Sequence, residues 1–322
     1  MSGKFDDRAT QPARGPSDIL KWKLGKKEPR RADFKAVDAI RPGLRHGGAA
    51  ALRSGDPVAV WIGHATWVLR LGGQLVVTDP IWSKSISGAV PRLVAPGVPL
   101  ADLPVPDLVL VTHDHRDHMD LPTLGKLPHS AIYIVPTGNG PRMTKLGHSN
   151  VVELDWWQTH THGSLAITLV PARHWSMRMP WNKNDTLWGG YVIRGPEGTA
   201  YHSGDTAFGE HFAEIRHKIG VIDWAMLPIG GYSPRWFMAP QHVDPIEAAR
   251  GFEALGATNF LAMHWGTYRL TDEAIGEPPE RLRAYWAERG LAPERLWILD
   301  AGEARPLLTV PGNGKNLRTL RT

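Results

Sequence analysis

The chain of 322 residues predicts an α/β fold in which two layers of β-sheet are covered by helices. Three observations carry this. Strand patterns dominate from Val58 onward, and a strand-plus-helix succession follows. Residue types that ligate metals stand where apolar strand runs stop. No internal repeat is visible and no linker breaks residues 56–310. One domain is therefore expected over 56–310, with a basic arm over 1–55 and a short tail over 311–322.

The elements follow in order. Residues 1–55 are rich in Gly, Pro and charge, which suits an arm. Residues 58–62 and 66–71 alternate β-branched and aromatic side chains and read as strands, and Gly72-Gly73 makes a tight turn into a third at 75–78. Further strands are expected over 107–112, 131–135, 165–170, 187–194 and 199–203. Helical spacing appears over 121–126, 208–218, 244–255 and 279–289. The helix at 244 carries its own start signal, with Asp244 as N-cap and Pro245 at the first position.

Composition narrows the function. The chain has no cysteine, so disulfides and thiolate metal sites are excluded and any ligation uses nitrogen and oxygen. The net charge of +5 is uneven: residues 1–46 hold twelve Lys/Arg against six Asp/Glu. The remainder has 37 less 12, or 25, basic residues and 32 less 6, or 26, acidic ones, so the body is near neutral and shows no basic stripe. Nucleic acid is accordingly not an expected partner. No secretory signal and no long uninterrupted apolar stretch is present, so a cytoplasmic location is expected. Residues 19–27 interleave lysines with Trp22 and Leu24, which fits either an interfacial anchor at the inner membrane face or a solvated arm that packs one Trp on the body.

The segment Thr112-His113-Asp114-His115-Arg116-Asp117-His118 is the most informative in the chain. Four potential ligands fall within six residues, directly after an apolar run that reads as a buried strand. A rigid strand running into a ligand-dense loop is what a catalytic metal site needs. Extended residues alternate sides, so His113 and His115 share one side, while Asp117 and His118 lie beyond and can turn to a second ion. His174, Asp205 and His264 each stand where another apolar strand stops. Together these make two sites. His113, His115 and His174 would hold one ion, Asp117, His118 and His264 the other, and Asp205 would bridge them.

Longer motifs narrow the chain further. The ligand order resembles the metallo-β-lactamase fold superfamily, which implies a four-layer αββα sandwich with metals at one edge. Trp61-Ile62-Gly63-His64-Ala65-Thr66, Thr78-Asp79-Pro80-Ile81-Trp82-Ser83 and Glu153-Leu154-Asp155-Trp156-Trp157 resemble the N-acyl-phosphatidylethanolamine-hydrolysing phospholipase D family. So do Pro171-Ala172-Arg173-His174-Trp175, Ser203-Gly204-Asp205-Thr206 and the stretch 228–238. Gln241-His242-Val243-Asp244-Pro245 and Met263-His264-Trp265-Gly266-Thr267 complete the set, which keeps order and spacing from about residue 56 to 300. The resemblance implies two zinc ions on the seven ligands named above, and His242 beside the scissile phosphate. Because every ligand is nitrogen or oxygen, manganese or iron could replace zinc.

The residues around this set have competing readings. His242 follows Met238-Ala239-Pro240 and precedes the Asp244 cap, so on sequence alone it either faces a phosphate or bonds the helix entrance. Arg178 and Arg235 are natural phosphate partners through their guanidinium forks, or members of structural salt bridges. Trp175, Trp181, Trp236 and Trp265 flank site motifs and either line an apolar wall or belong to the core.

The expected activity is metal-dependent phosphodiester hydrolysis of a phospholipid-like substrate, with Asp117, Asp205 and His242 as catalytic residues and Arg178, Arg235, Trp175 and Trp236 binding substrate. In the family reaction the products are phosphatidic acid and an N-acylethanolamine. The arm is basic and lacks a long apolar face, so the chemistry transfers from the family better than the substrate does. The alternatives are a same-fold hydrolase of a soluble cyclic phosphodiester or lactone, and a membrane-surface binding protein with a vestigial metal site. The complete ligand set argues against the last. Acyl length, head group and oligomeric state are not encoded in any recognisable pattern.

Overall fold

Two seven-stranded sheets organise the chain in a computed structural model that describes residues 3–9, 16–25 and 29–308. Three helices precede them: α1 (Pro16–Leu24), α2 (Phe34–Asp38) and α3 (Gly48–Arg53). The first strands are β1 (Val58–Gly63), β2 (Thr66–Leu71), β3 (Gln74–Thr78), the small hairpin β4 (Ser85–Ile86) and β5 (Val90–Pro91), and β6 (Leu108–Leu110). Helix α4 (Leu121–Leu124), β7 (Ile132–Pro136), α5 (Gly140–Lys145), β8 (Val151–Leu154) and β9 (Thr159–His162) follow. Next come β10 (Leu165–Val170), β11 (Gly190–Gly195), β12 (Gly198–His202), α6 (His211–Ile219), β13 (Trp224–Pro228) and α7 (Arg235–Met238). The chain continues with α8 (Pro245–Leu255), β14 (Asn259–Met263), α9 (Glu277–Glu288), β15 (Leu296–Trp297) and β16 (Ala304–Pro306).

The first sheet runs β16-β1-β2-β3-β6-β7-β8 and the second β15-β14-β13-β12-β11-β10-β9. Each has an antiparallel part and a parallel part, the latter being β3-β6-β7-β8 in one and β12-β13-β14-β15 in the other. Period-two alternation buries both faces of the first sheet. Ala59 and Trp61 of β1 join the core that contains Leu165, Ile167 and Leu169 of β10, whereas Val58, Val60 and Ile62 pack the other way against Leu52 of α3. Val109, Tyr133 and Val135 likewise lie under Leu124 of α4 and Met143 of α5. The second sheet is covered by α6, α8 and α9, where Phe252, Phe260 and Trp286 lie with ring centroids 5.2–5.9 Å apart. The architecture is the expected α/β sandwich of four layers, αββα. Each such buried aromatic or aliphatic side chain contributes about 1.5–3 kcal/mol on leaving water, so the central layers dominate stability.

The expected helix start at Asp244 is present as a full capping box. Asp244 Oδ1 accepts from Ile246 N and Glu247 N at 3.0 and 2.9 Å, and Glu247 Oε2 accepts from Asp244 N at 3.1 Å. Helix α9 begins at Glu277, two residues before its expected start, because Pro278 and Pro279 sit in the first turn, where a missing N–H leaves no bond unmade. The strand expected over 187–194 begins only at Gly190, since Leu187 N bonds Thr137 O in the loop instead. Strands β8, β9, β15 and β16 and helix α5 were not signalled: they are short, and β9 (Thr-His-Thr-His) has no apolar alternation.

Residues of the expected arm touch the body at several points. Phe5 is buried and its N–H bonds Asn184 O at 2.9 Å, and Arg8 Nη1 pairs with Asp155 at 3.1 Å. Trp22 of α1 stacks on Phe237 at 5.0 Å and donates to Asp272 Oδ2 at 2.8 Å. Dispersed apolar anchors, among them Val37 and Leu52, attach this charged stretch without any long apolar face. The tail expected over 311–322 lies outside the described residues.

Candidate metal centre

The carboxyl ends of β3, β6, β12 and β14 meet at one edge of the sandwich, where open α/β sheets bind ligands. After β6 the chain leaves the sheet and turns, with His118 N and Met119 N both bonding His115 O. That turn separates the loop's ligands into two groups. His113 Nε2 lies 3.0 Å from His115 Nδ1, which lies 3.1 Å from His174 Nε2 at the end of β10, so three ring nitrogens converge. On the other side His118 Nε2 and His264 Nε2 each stand 3.6 Å from Asp117 Oδ2. Asp205 lies between the groups: Oδ2 is 3.1 Å from His118 Nε2 and 3.9 Å from His174 Nε2, and Oδ1 is 3.3 Å from His264 Nε2. The structure thus brings together all seven sequence-selected ligands.

Two further residues belong to the cluster. His64, which follows β1, places Nε2 3.0 Å from Asp117 Oδ2 and groups with Asp117, His118 and His264. Asp79, which follows β3, accepts from His118 Nδ1 at 2.7 Å and from both Thr112 N and Thr112 Oγ1 at 2.7 Å. Both stand where an apolar strand stops, which is the signal that selected His174, Asp205 and His264; applied to every strand, it would have found them. His64, Asp79 and His264 all adopt positive φ (53°, 40° and 61°), and His264 N bonds His64 O at 2.9 Å. Such backbone strain is held only where the surroundings over-determine it. Close approach is made possible by Gly230, where a Cβ would lie 2.4 Å from His264 O.

The outer contacts orient the rings. His113 Nδ1 lies 2.9 Å from Thr112 Oγ1, and His174 Nδ1 donates to Gln241 O at 3.0 Å, directing each Nε2 inward. Burial pushes His115 down to about 4 and His174 to about 3, and holds His113 well below its usual value, so these rings are neutral, as metal ligation requires. His118 and His264 behave oppositely. Burial disfavours their charge, yet Asp205, with Asp117, outweighs it and raises His264 to about 9 and His118 well above its usual value. Asp117 and Asp205 remain ionised against burial because His118 faces both.

This donor set fits divalent cations. Buried atoms without a hydrogen-bond partner include Asp205 Oδ1, His264 Nε2 and His242 Nδ1, and all three point into the cluster. Polar atoms so placed are costly unless something binds them. Among the residues present, His113, His115 and His174 would hold one ion and Asp117, His118 and His264 a second, with Asp205 shared.

His242 is not bound to the helix entrance through its ring. Nδ1 faces Asp205 Oδ2 at 3.8 Å, and the ring stands 5.2 Å from that of His174 and 5.8 Å from that of His264. Burial pushes it down to about 3 and keeps the ring neutral. Arg235, expected to face a phosphate, does not: Nη2 pairs with Glu247 at 2.7 Å and Nη1 donates to His242 O at 2.9 Å. Its neighbours in the capping box claim it, so it positions the His242 backbone. Arg178 is anchored by Nη1 to the carbonyls of Asp114 and Met119 at 3.0 and 2.9 Å, behind the ligand loop. Trp175 stands edge-on to His115 at 4.8 Å, at the metal cluster. Trp236 instead lies under Lys21 of α1 at 4.8 Å. Trp265 is buried, stacked on Trp61 at 5.8 Å, whereas Trp181 is exposed.

Comparison with known proteins agrees with this geometry. Residues 74–265 match the family described as the beta-lactamase superfamily domain. An uncharacterised protein of Mycobacterium tuberculosis (strain H37Rv) is 35% identical over 277 residues, covering 83% of this chain and 72% of that one. The Caenorhabditis elegans protein named N-acyl-phosphatidylethanolamine-hydrolyzing phospholipase D 1 is 33% identical over 264 residues, covering 76% and 74%. An isothiocyanate hydrolase from Delia radicum gut bacteria shares the fold at a TM-score of 0.63 and 20% identity, covering 77% of this chain and 98% of that one.

Proposed function

The chain belongs to the metallo-β-lactamase superfamily of metal-dependent hydrolases, and on that premise we propose that it is a binuclear zinc phosphodiesterase of phospholipase D type. The substrate class is N-acyl-phosphatidylethanolamine-like lipid, cleaved to phosphatidic acid and an N-acylethanolamine. The observation that carries this reading is His242 Nδ1, buried without a hydrogen-bond partner among the described residues and facing Asp205 beside two groups of candidate ligands. The 33% identity to the C. elegans phospholipase D supports the lipid class.

Ions held there would supply Lewis acidity and a water nucleophile at neutral pH. The chain's own residues do the rest. Asp117 and Asp205 are carboxylates held ionised, and Asp79 and His64 fix the orientation of His118 and Asp117. His242 would hydrogen-bond the scissile phosphate, a role supported by its Nδ1 facing Asp205 Oδ2 at 3.8 Å. Its ring is neutral in the resting cluster, so the negative charge of a bound phosphate is what would raise its pKa and let it give a proton to the departing alkoxide.

Peripheral membrane contact is part of the proposal. Ile19, Leu20 and Leu24 of α1 are exposed beside Lys21 and Lys23, and α1 lies against α7, which leads to His242. No helix among the described residues is long and apolar enough to cross a membrane. A cytoplasmic protein docking at the inner face fits this arrangement.

The test is product analysis by mass for purified protein given N-acyl-phosphatidylethanolamine in micelles, a soluble aryl phosphodiester, a cyclic phosphodiester and a lactone. N-acylethanolamine and phosphatidic acid as the fastest-formed products support the reading. Faster turnover of the cyclic phosphodiester or lactone replaces it with a soluble-substrate hydrolase.

A further inference from the structure

A cleft of about 550 Å³ opens beside the metal loop, between the β4–β5 hairpin, the turn at 116–122 and Arg178. Lys84, Arg116 and Arg178 line it, with the hydroxyls of Ser85 and Ser87 and one carboxylate, Asp120. Asp120 is turned to protein donors, accepting from Ser83 Oγ at 2.6 Å and Thr123 Oγ1 at 2.5 Å. The other nearby carboxylate, Asp114, pairs with Arg142 at 3.2 Å.

The cations are therefore in excess. Arg116 is exposed, and its Nη2 donates to the backbone carbonyl of Arg178 at 3.1 Å, which ties the Arg116 guanidinium to the segment that carries Arg178. Among the described residues Arg178 is anchored by Nη1 alone, and its Nε and Nη2 have no hydrogen-bond partner there. Burial and then the Arg116 charge push Arg178 down to about 10, against the opposing pull of Asp114 and Asp120. Arg116 is also the residue between ligands His115 and Asp117, so whatever binds the cleft adjoins the metal centre.

We propose that this cleft is a second anion subsite, which takes a phosphomonoester group of the substrate other than the scissile phosphodiester. Three cations with two hydroxyls suit the tetrahedral dianion, because guanidinium forks pair with two phosphate oxygens at once. The volume leaves room for a head group around it. A simple N-acylated ethanolamine diester carries one negative charge, so within the proposed lipid class the subsite would favour diesters whose other portion carries a further phosphomonoester. The proposal deepens the phosphodiesterase reading and rests on it for the role of the subsite, though not for its existence.

Two measurements separate the two. Calorimetric titration of the metal-loaded protein with inorganic phosphate should show two equivalents per chain, one at the metal centre and one in the cleft. Lys84→Glu/Arg116→Glu should retain only one. One equivalent in both proteins overturns the subsite, whatever the activity. In the second measurement, an aryl phosphodiester with a pendant phosphate is compared with its counterpart lacking it. The kcat/KM ratio should exceed about 10 in the native protein and fall towards 1 in the variant, mainly through KM. An equal ratio in both proteins means that free phosphate is the ligand and overturns the substrate role. No hydrolysis of either diester, with two phosphates still bound, refutes the phosphodiesterase reading and leaves the subsite standing.

Discussion

His242 Nδ1 and Asp205 Oδ2 are 3.8 Å apart with no hydrogen bond between them, although Nδ1 is buried and has no other hydrogen-bond partner among the described residues. A neutral imidazole and an ionised carboxylate at that distance are not bonded to one another, so a third group approaching from the side can contact both. Arg235 maintains the gap from behind by gripping His242 O and the Glu247 carboxylate.

His242→Gln is expected to leave fold and metal content intact while kcat falls about 10²-fold or more. A nitrophenoxide leaving group needs no proton to depart, so it should recover most of the loss if His242 gives that proton. An equal deficit on both substrates would mean phosphate binding only. No deficit on either would make His242 structural.

Asp205→Asn should lower turnover far more than stability. Its two oxygens face His118 and His264 at 3.1 and 3.3 Å, and a neutral amide cannot balance the charge gathered there. Losses of at least about 10-fold are expected, as for other contacts that orient or charge-match a metal centre. Activity close to the native level with both metals bound would show that Asp205 is not shared.

Metal uptake should release protons. In the metal-free protein His118 and His264 are raised, the latter to about 9, so both are protonated at pH 7 and must deprotonate to ligate. Calorimetry in buffers of different ionisation enthalpy should find about two protons released per two ions at pH 7. Affinity should rise with pH until His264 loses its own proton near 9. Proton-neutral binding at pH 7 would contradict the charge arrangement, and elemental analysis showing fewer than two ions at full activity would contradict the stoichiometry.

His211 should contribute acid lability. Burial, and then the Arg173 charge, push it from 6.5 down to about 3, with its Nε2 lying 3.1 Å from Thr206 Oγ1. The unfolded chain then binds a proton that the folded protein refuses. Stability is unaffected above 6.5 and falls as pH drops from there towards 3, at up to about 1.4 kcal/mol per pH unit from this group. Urea unfolding across that range should show a shallower acid slope for His211→Gln, and parallel slopes would mean that His211 is not the source.

Leu20→Gln/Leu24→Gln should weaken sedimentation with anionic vesicles without lowering thermal stability, because both side chains are exposed. Lysines near the surface add about 1 kcal/mol each, so moderate salt should weaken binding further. Equal pelleting of both proteins would reject the membrane role of α1.

The metal loop was legible in the sequence because its information is local. Four ligands in six residues after an apolar run depend on strand period and ligand chemistry alone, and so did the strand-end placement of His174, Asp205 and His264. The capping box of α8 was legible for the same reason, since its bonds span three residues.

What the tertiary structure decided are relationships between residues distant in the chain. His64 and Asp117 are 53 residues apart and meet only because β1 and β6 end at the same edge. Asp79 supports His118 across 39 residues through the parallel pairing of β3 with β6. Arg235 had two plausible partners by composition, a phosphate or a carboxylate. The choice fell to Glu247 because the turn from α7 into α8 places that carboxylate within 2.7 Å. Local pattern determines which residues can ligate, cap or pair, while packing of the two sheets determines which of them actually meet.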